Sequence, residues 1–220
     1  MDYAEFKKRF SNVPLIASRD AVRLEKDGQA MRNQLNRWQG RGLLLKLKRG
    51  IYMLNRDDRK VEPSRIFLAN RLYSPSYVSL EFALHFYGLI PERAADVTCI
   101  TTKKTARFRN EFGTFIYQHI KPDAFRGFKS AKDEAGLPVF IAEPEKTVVD
   151  FIYLNLSKFA KQEKEQFAQS FRFQNTEKLS AKKIMFYTRL FGNPWRGTLR
   201  SRKLLSAAKE FCAFIKESKR

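Results

Sequence analysis

Reactive side chains are scarce in this sequence. It holds two cysteines and two histidines. Cys99 and Cys212 stand far apart among apolar neighbours, His85 lies in "ALHFYG" and His119 in a strand-like run, and none has a partner at metal-ligand spacing. The expectation is reduced core thiols, core or half-buried imidazoles, and no bound metal. No glycine-rich phosphate loop precedes a helix and no Gly-x-Ser-x-Gly elbow occurs, which excludes nucleotide-loop and hydrolase chemistry of those kinds. No apolar run reaches the roughly 18 residues of a membrane span. The start "MDYAEFKKRF" lacks a signal-peptide core, so a cytoplasmic protein with no membrane association is expected. The best enzymatic option is a metal-dependent nuclease using Asp96, Glu143, Glu145 and Asp150. However, Pro144 separates the two glutamates, and a helix start accounts for both as dipole partners. A non-enzymatic protein without cofactors is therefore expected.

Acid is the other shortage. Against 43 lysines and arginines stand 23 aspartates and glutamates, a net charge of +20. Residues 1–60 hold 15 basic and 7 acidic side chains, residues 61–155 hold 12 and 11, and residues 156–220 hold 16 and 5. Two basic ends on a nearly neutral middle suit a polyanionic partner, most simply nucleic acid. Charge alone also fits an acidic protein or a membrane surface. With 43% hydrophobic residues and 20 phenylalanines the chain is no disordered polycation, and its length suits one large or two small domains.

The first sixty residues carry the most legible pattern. "DYAEFKKRF" spaces Tyr3, Phe6 and Phe10 as a short amphipathic helix. Ser18 is a plausible cap for a second helix through "RDAVRLEK", ending at Gly28. In "QAMRNQLNRWQGRG", Met31, Leu35 and Trp38 fall within about 60° on a helical wheel, a narrow buried stripe. Gln29, Arg32, Asn33, Asn36 and Arg37 occupy the opposite face, which contains no acid. Arg, Asn and Gln are the side chains whose forked groups match guanine and adenine edges in the major groove, whereas a solvated helix face normally mixes Glu with its cations. A short helix, a turn and this third helix follow the helix-turn-helix plan. "LLLKL" and "GIYML" then read as two strands turning at "KRG", with Leu43, Leu45 and Leu47 on the face packed against the helices. Such a hairpin is a wing whose Lys46, Lys48 and Arg49 can lie along phosphates, and Gly50 supplies the positive φ of its turn.

"RDDRKVEPS" (56–64) is polar and coincides with the fall in charge density, so residues 1–57 are taken as one domain and 62–220 as the next. "SRIFLANRL" and "SYVSLEFALHFYGL" read as helices, the second with Val78, Phe82 and Phe86 on one side. Strands are expected at 96–102, 113–120 and 137–142. "EPEKTVVDFIYLN" begins a helix with Val148, Ile152 and Leu156 inward. Residues 156–220 form a basic helical region: Ser180 caps "AKKIMFYTRLF" with Ile184, Tyr187 and Phe191 inward, "GNPW" turns, and a long helix buries Leu204, Ala208, Phe211 and Ile215. Lys182, Lys183, Arg189, Arg196, Arg200, Arg202, Lys209 and Lys216 form its candidate partner surface, for more DNA, RNA or an acidic protein. The fold class is thus α+β: an N-terminal winged helix-turn-helix, a mixed α/β domain and a basic helical C-terminal region.

The ordered set "LKRGIYML", "PSYVSLEFALHFYGLIPE", "VTCITTKKT", "FGTFIYQHI" and "IAEPEKTVVDFIYL" resembles the AbiEi-type antitoxins of bacterial type IV toxin–antitoxin systems, over roughly residues 1–155. The resemblance implies a winged-helix transcriptional repressor joined to an antitoxin domain. It implies binding to inverted repeats in double-stranded operator DNA of its own promoter, as a monomer or weak dimer paired on DNA. It also implies action against a nucleotidyltransferase toxin without a stable complex, and it passes the DNA role to Gln29, Arg32, Asn33, Asn36, Arg37, Lys46, Lys48 and Arg49. The alternative is a solitary winged-helix regulator, or a protein-binding module whose basic C-terminal region takes an acidic partner or RNA.

Overall fold

The computed structural model describes residues 1–159, 166–192 and 198–218. The protein is a mixed α+β chain with two sheets. It opens with α1 (Tyr3–Phe10), a two-residue strand β1 (Ile16–Ala17), α2 (Ser18–Val22) and α3 (Gly28–Gly40), followed by the hairpin β2 (Leu44–Lys48) and β3 (Ile51–Leu54). These strands form an antiparallel sheet in the order β1-β3-β2. Phe6, Phe10, Met31, Leu35 and Trp38 are buried together with Leu44, Tyr52 and Leu54, so the three helices close over one face of the hairpin. Fully burying each large side chain stabilises by roughly 1.5–3 kcal/mol.

The second helix differs from expectation. It ends at Val22, and Gly28 starts α3 instead of closing α2. The reason is capping: Asp27 Oδ1 accepts from the backbone N–H groups of Gln29 at 2.8 Å and Ala30 at 3.1 Å, whereas Ser18 lies inside α2 and makes no cap bond. A Cβ on Gly28 would stand 2.8 Å from Val22 Cγ1, so the close approach of α2 and α3 needs glycine there.

The hairpin also departs from the expected alternation. Leu44 packs on the helices, while Leu45 and Leu47 face the other way, into a second core with Met53, Phe67, Val97, Phe115 and Tyr117. A register irregularity between Lys46 and Lys48 accompanies this. Both faces of the hairpin are covered, which explains a run as apolar as "GLLLKL". The "RDDRKVEPS" segment is likewise tied down. Tyr3 Oη donates to Asp58 Oδ2 at 2.6 Å, Lys7 pairs with Asp58, and Arg59 holds Glu62 at 2.7 and 2.9 Å.

Beyond it come α4 (Arg65–Leu72), β4 (Ser76–Val78), α5 (Leu80–Phe86), β5 (Val97–Thr101), β6 (Ala106–Asn110), β7 (Gly113–His119), β8 (Phe128–Lys132), β9 (Pro138–Ala142) and α6 (Pro144–Leu154). Six strands form one sheet in the order β6-β7-β5-β4-β9-β8, with β5/β7 and β4/β9 parallel and the other pairs antiparallel. The central strands alternate between two cores: Val78, Cys99 and Ile141 face α4 and the hairpin, whereas Tyr77, Ile100 and Ala142 face the helices on the other side. A sheet covered on both faces requires strands apolar on both, and all of "VTCIT" is buried. Buried Asn70 pins α4 to β9 by accepting from Phe140 N–H at 2.7 Å and donating to its carbonyl at 3.1 Å.

The expected helix over 76–89 is split. Pairing with β5 and β9 draws Ser76–Val78 into the sheet, and α5 starts only at Leu80. Phe86 consequently turns outward, 57% exposed, and His85 is exposed as well, as is His119. Both imidazoles thus lie outside the core. After α6 come α7 (Ala181–Leu190) and α8 (Leu199–Glu217). Val148, Ile152, Ile184, Tyr187, Phe191, Leu204, Ala208, Phe211 and Ile215 are buried as their spacing predicts, while Leu156 falls past the end of α6 and is half-buried. Residues 193–195 of the "GNPW" turn and Arg196 lie outside the described residues.

Candidate nucleic-acid interface

Helix α3 sets its polar face by burying the other. With Met31, Leu35 and Trp38 at most 4% exposed, the 3.6-residue repeat forces Gln29, Arg32, Asn33, Asn36 and Arg37 outward, and all five are exposed. Trp38 is held by Tyr3 and Phe6 at ring-centroid distances of 5.5 and 4.8 Å, which fixes the helix against α1. Gln29 Nε2 donates to Asn33 Oδ1 at 3.2 Å, and Arg32 Nη1 donates to Gln29 Oε1 at 3.4 Å. Among the described residues, no ion pair to an acid is recorded for Arg32 or Arg37. The face offers forked donors and amide acceptors on a rigid support, the geometry that two-point recognition of base edges requires.

The hairpin follows directly. Lys46 and Arg49 are exposed beside the Gly50 turn, whose φ is +79°. Lys48 is placed differently. Its Nζ lies 5.2 Å from the Phe108 ring centroid and 5.9 Å from that of Tyr73, and Lys103 Nζ lies 5.4 Å from the same Tyr73 ring. Burial, and then repulsion by Lys103, pull the Lys48 ammonium below the usual lysine range. Asn110 Nδ2 donates to the Leu47 carbonyl at 3.2 Å, which fastens β2 to β6. A cation outside the expected set, Lys103, therefore stands next to the hairpin. Its signal is present in the sequence as "KKTARFR" (103–109), four cations in seven residues. Only tertiary structure brings the β5–β6 turn to β2.

The C-terminal candidates divide. Lys182, Arg189, Arg202, Lys209 and Lys216 are exposed. Lys183 donates to Glu143 Oε2 at 2.8 Å, and Arg200 lies over the Tyr153 ring at 4.1 Å while donating to its carbonyl at 3.3 Å. These last two are committed to the fold.

The four carboxylates considered for a nuclease are spoken for separately. Asp150 is fully buried against Lys146 and accepts from Tyr77 Oη and Ser79 Oγ, each at 2.9 Å. Glu145 Oε1 accepts from Ser180 N–H at 3.1 Å and so ties α6 to the cap of α7. Glu143 pairs with Lys183, and Asp96 lies 3.7 Å from Arg107. Among the described residues no three His, Cys, Asp or Glu side chains come together to hold a metal ion, and no helix is long and apolar enough to cross a membrane. Cys99 and Cys212 are buried free thiols.

No family model and no curated protein matches the chain.

Proposed function

We propose that the protein is a DNA-binding transcriptional repressor whose first 57 residues form a winged helix-turn-helix. In this reading α2 and α3 are the two helices of the motif, and α3 enters the major groove. Gln29, Arg32, Asn33, Asn36 and Arg37 meet base edges, while Lys46 and Arg49 of the β2–β3 wing lie along the flanking phosphates. Lys48, seated with Lys103 on Tyr73, adds positive potential where the wing joins the second domain. The observation that carries the reading is the exposed, acid-free face of α3, held outward by a fully buried stripe. Two copies, paired on an inverted repeat in the protein's own promoter, would each place one α3 in a half-site.

The second domain is proposed to act, without catalysis, as the antitoxin against a nucleotidyltransferase toxin in the cytoplasm. That half rests on the likeness of its ordered segments to AbiEi-type proteins. The DNA half is tested by electrophoretic mobility shift with the promoter upstream of the protein's own gene. Specific retardation is expected, and Arg37→Ala weakens it by about 1–3 kcal/mol if the guanidinium meets a base. Equal retardation of promoter and random duplex by the wild-type chain contradicts the reading.

A further inference from the structure

We infer that the outer face of α7 binds single-stranded nucleic acid, a surface separate from α3. Lys182, Phe186 and Arg189 recur at i, i+4 and i+7 and so share one face of the helix. All three are exposed, Phe186 by 58%. The core does not need Phe186, because Ile184, Tyr187 and Thr188 already form the buried side. Its ring is nevertheless propped: Tyr187 meets it edge-on at 5.4 Å and 66°. Burial, and then the Glu143 carboxylate, raise the Tyr187 hydroxyl above its usual range. No acid occurs anywhere in "AKKIMFYTRL".

Helix α7 thus offers a supported aromatic face bracketed, one turn to either side, by cations that no ion pair recorded among the described residues engages. That is the arrangement on which a base stacks while the neighbouring phosphates are neutralised. A duplex keeps its bases covered and would leave Phe186 in water, so an unpaired strand is the better complement. An exposed ring between two cations suits a sequence-tolerant strand, because every base has a face to stack.

The test is fluorescence anisotropy of the full-length chain with labelled oligouridylate and oligothymidylate of about 12 nucleotides, a random duplex and polyglutamate, across a salt series. Both single strands are expected to bind, and a preference for one assigns RNA or DNA. Phe186→Ala should weaken single-strand binding by roughly tenfold without changing its salt slope, duplex binding or the melting temperature, and Phe186→Trp should retain it. Lys182→Ala with Arg189→Ala should flatten the slope by about 1.4. Three results would overturn the inference: no single-strand binding, binding indifferent to Phe186, or Phe186-dependent binding of polyglutamate alone. Loss of strand binding on altering α3, with Phe186→Ala silent, would place the strand at the duplex site and also count against it.

Discussion

Helices α3 and α6 each carry a regular apolar stripe, yet they handle their polar side chains in opposite ways. On α6, Glu145, Lys146 and Asp150 are buried and answered inside the protein by Ser180, Tyr77, Ser79 and one another. On α3 the five polar residues of the outer face stay exposed, and their side-chain hydrogen bonds, Gln29 to Asn33 and Arg32 to Gln29, are among themselves. The difference lies in sign. A helix holding both charges lets the fold satisfy them internally, whereas one holding only cations and amides has nothing of its own to answer them. The N-terminal module therefore looks outward, and α6 serves as an internal tie between the sheet and α7.

The contrast is broken most severely at Lys146. Burial drives its ammonium down and the Asp150 carboxyl up, against the pull of their mutual contact and of the Ser79 and Tyr77 hydrogen bonds to Asp150. Lys146→Met should cost about 3–5 kcal/mol in urea denaturation, because Asp150 would be left unpaired. A carboxyl raised in the folded state favours folding only while protonated, so the deficit should narrow as pH falls towards the ordinary carboxylate range. Retention of full stability in this variant would remove the contrast with α3.

Effects on the β2–β3 hairpin should be intermediate. Lys46→Ala and Arg49→Ala should weaken operator and random duplex alike and lower the salt slope by about 1 each. Sequence-dependent losses would move these residues into the groove. The smallest effect is expected at Asp58, whose carboxyl is held below its usual range by the Lys7 and Tyr3 hydrogen bonds. A depressed carboxylate contributes at neutral pH and loses that contribution as pH drops through its folded value. Asp58→Asn should therefore lower the melting temperature by about 2–4 °C at neutral pH and have no effect in strong acid. A loss that persists in acid would mean that the asparagine disturbs packing instead of charge.

Much of this was legible where local pattern and tertiary burial agree. The stripes of α1, α3, α7 and α8 and the runs of β5, β7 and β9 each select one buried side. Legibility failed where distant partners decide. Ser76–Val78 reads as helix because Val78, Phe82 and Phe86 keep fourfold spacing, but pairing with β5 and β9 prevails. "ARFRN" and "FKSAK" become edge strands β6 and β8, with too few apolar residues to announce themselves. Leu44, Leu45 and Leu47 could not be sorted, since the hairpin lies between two cores and alternation assumes one. At the candidate site, the outward face of α3 was readable from its missing acids. The seating of Lys48 with Lys103 on Tyr73 was not, because it joins segments more than fifty residues apart.

The role proposed for α3 is to present a duplex-reading face. Its most direct test is a titration of operator and random duplex with a variant in which Gln29, Arg32, Asn33, Asn36 and Arg37 are all alanine. The stripe of Met31, Leu35 and Trp38 is untouched in that variant, so its melting curve serves as the control for folding. The fold should be unchanged and affinity for the operator reduced to that for random duplex. Full operator preference in the folded variant would contradict that role.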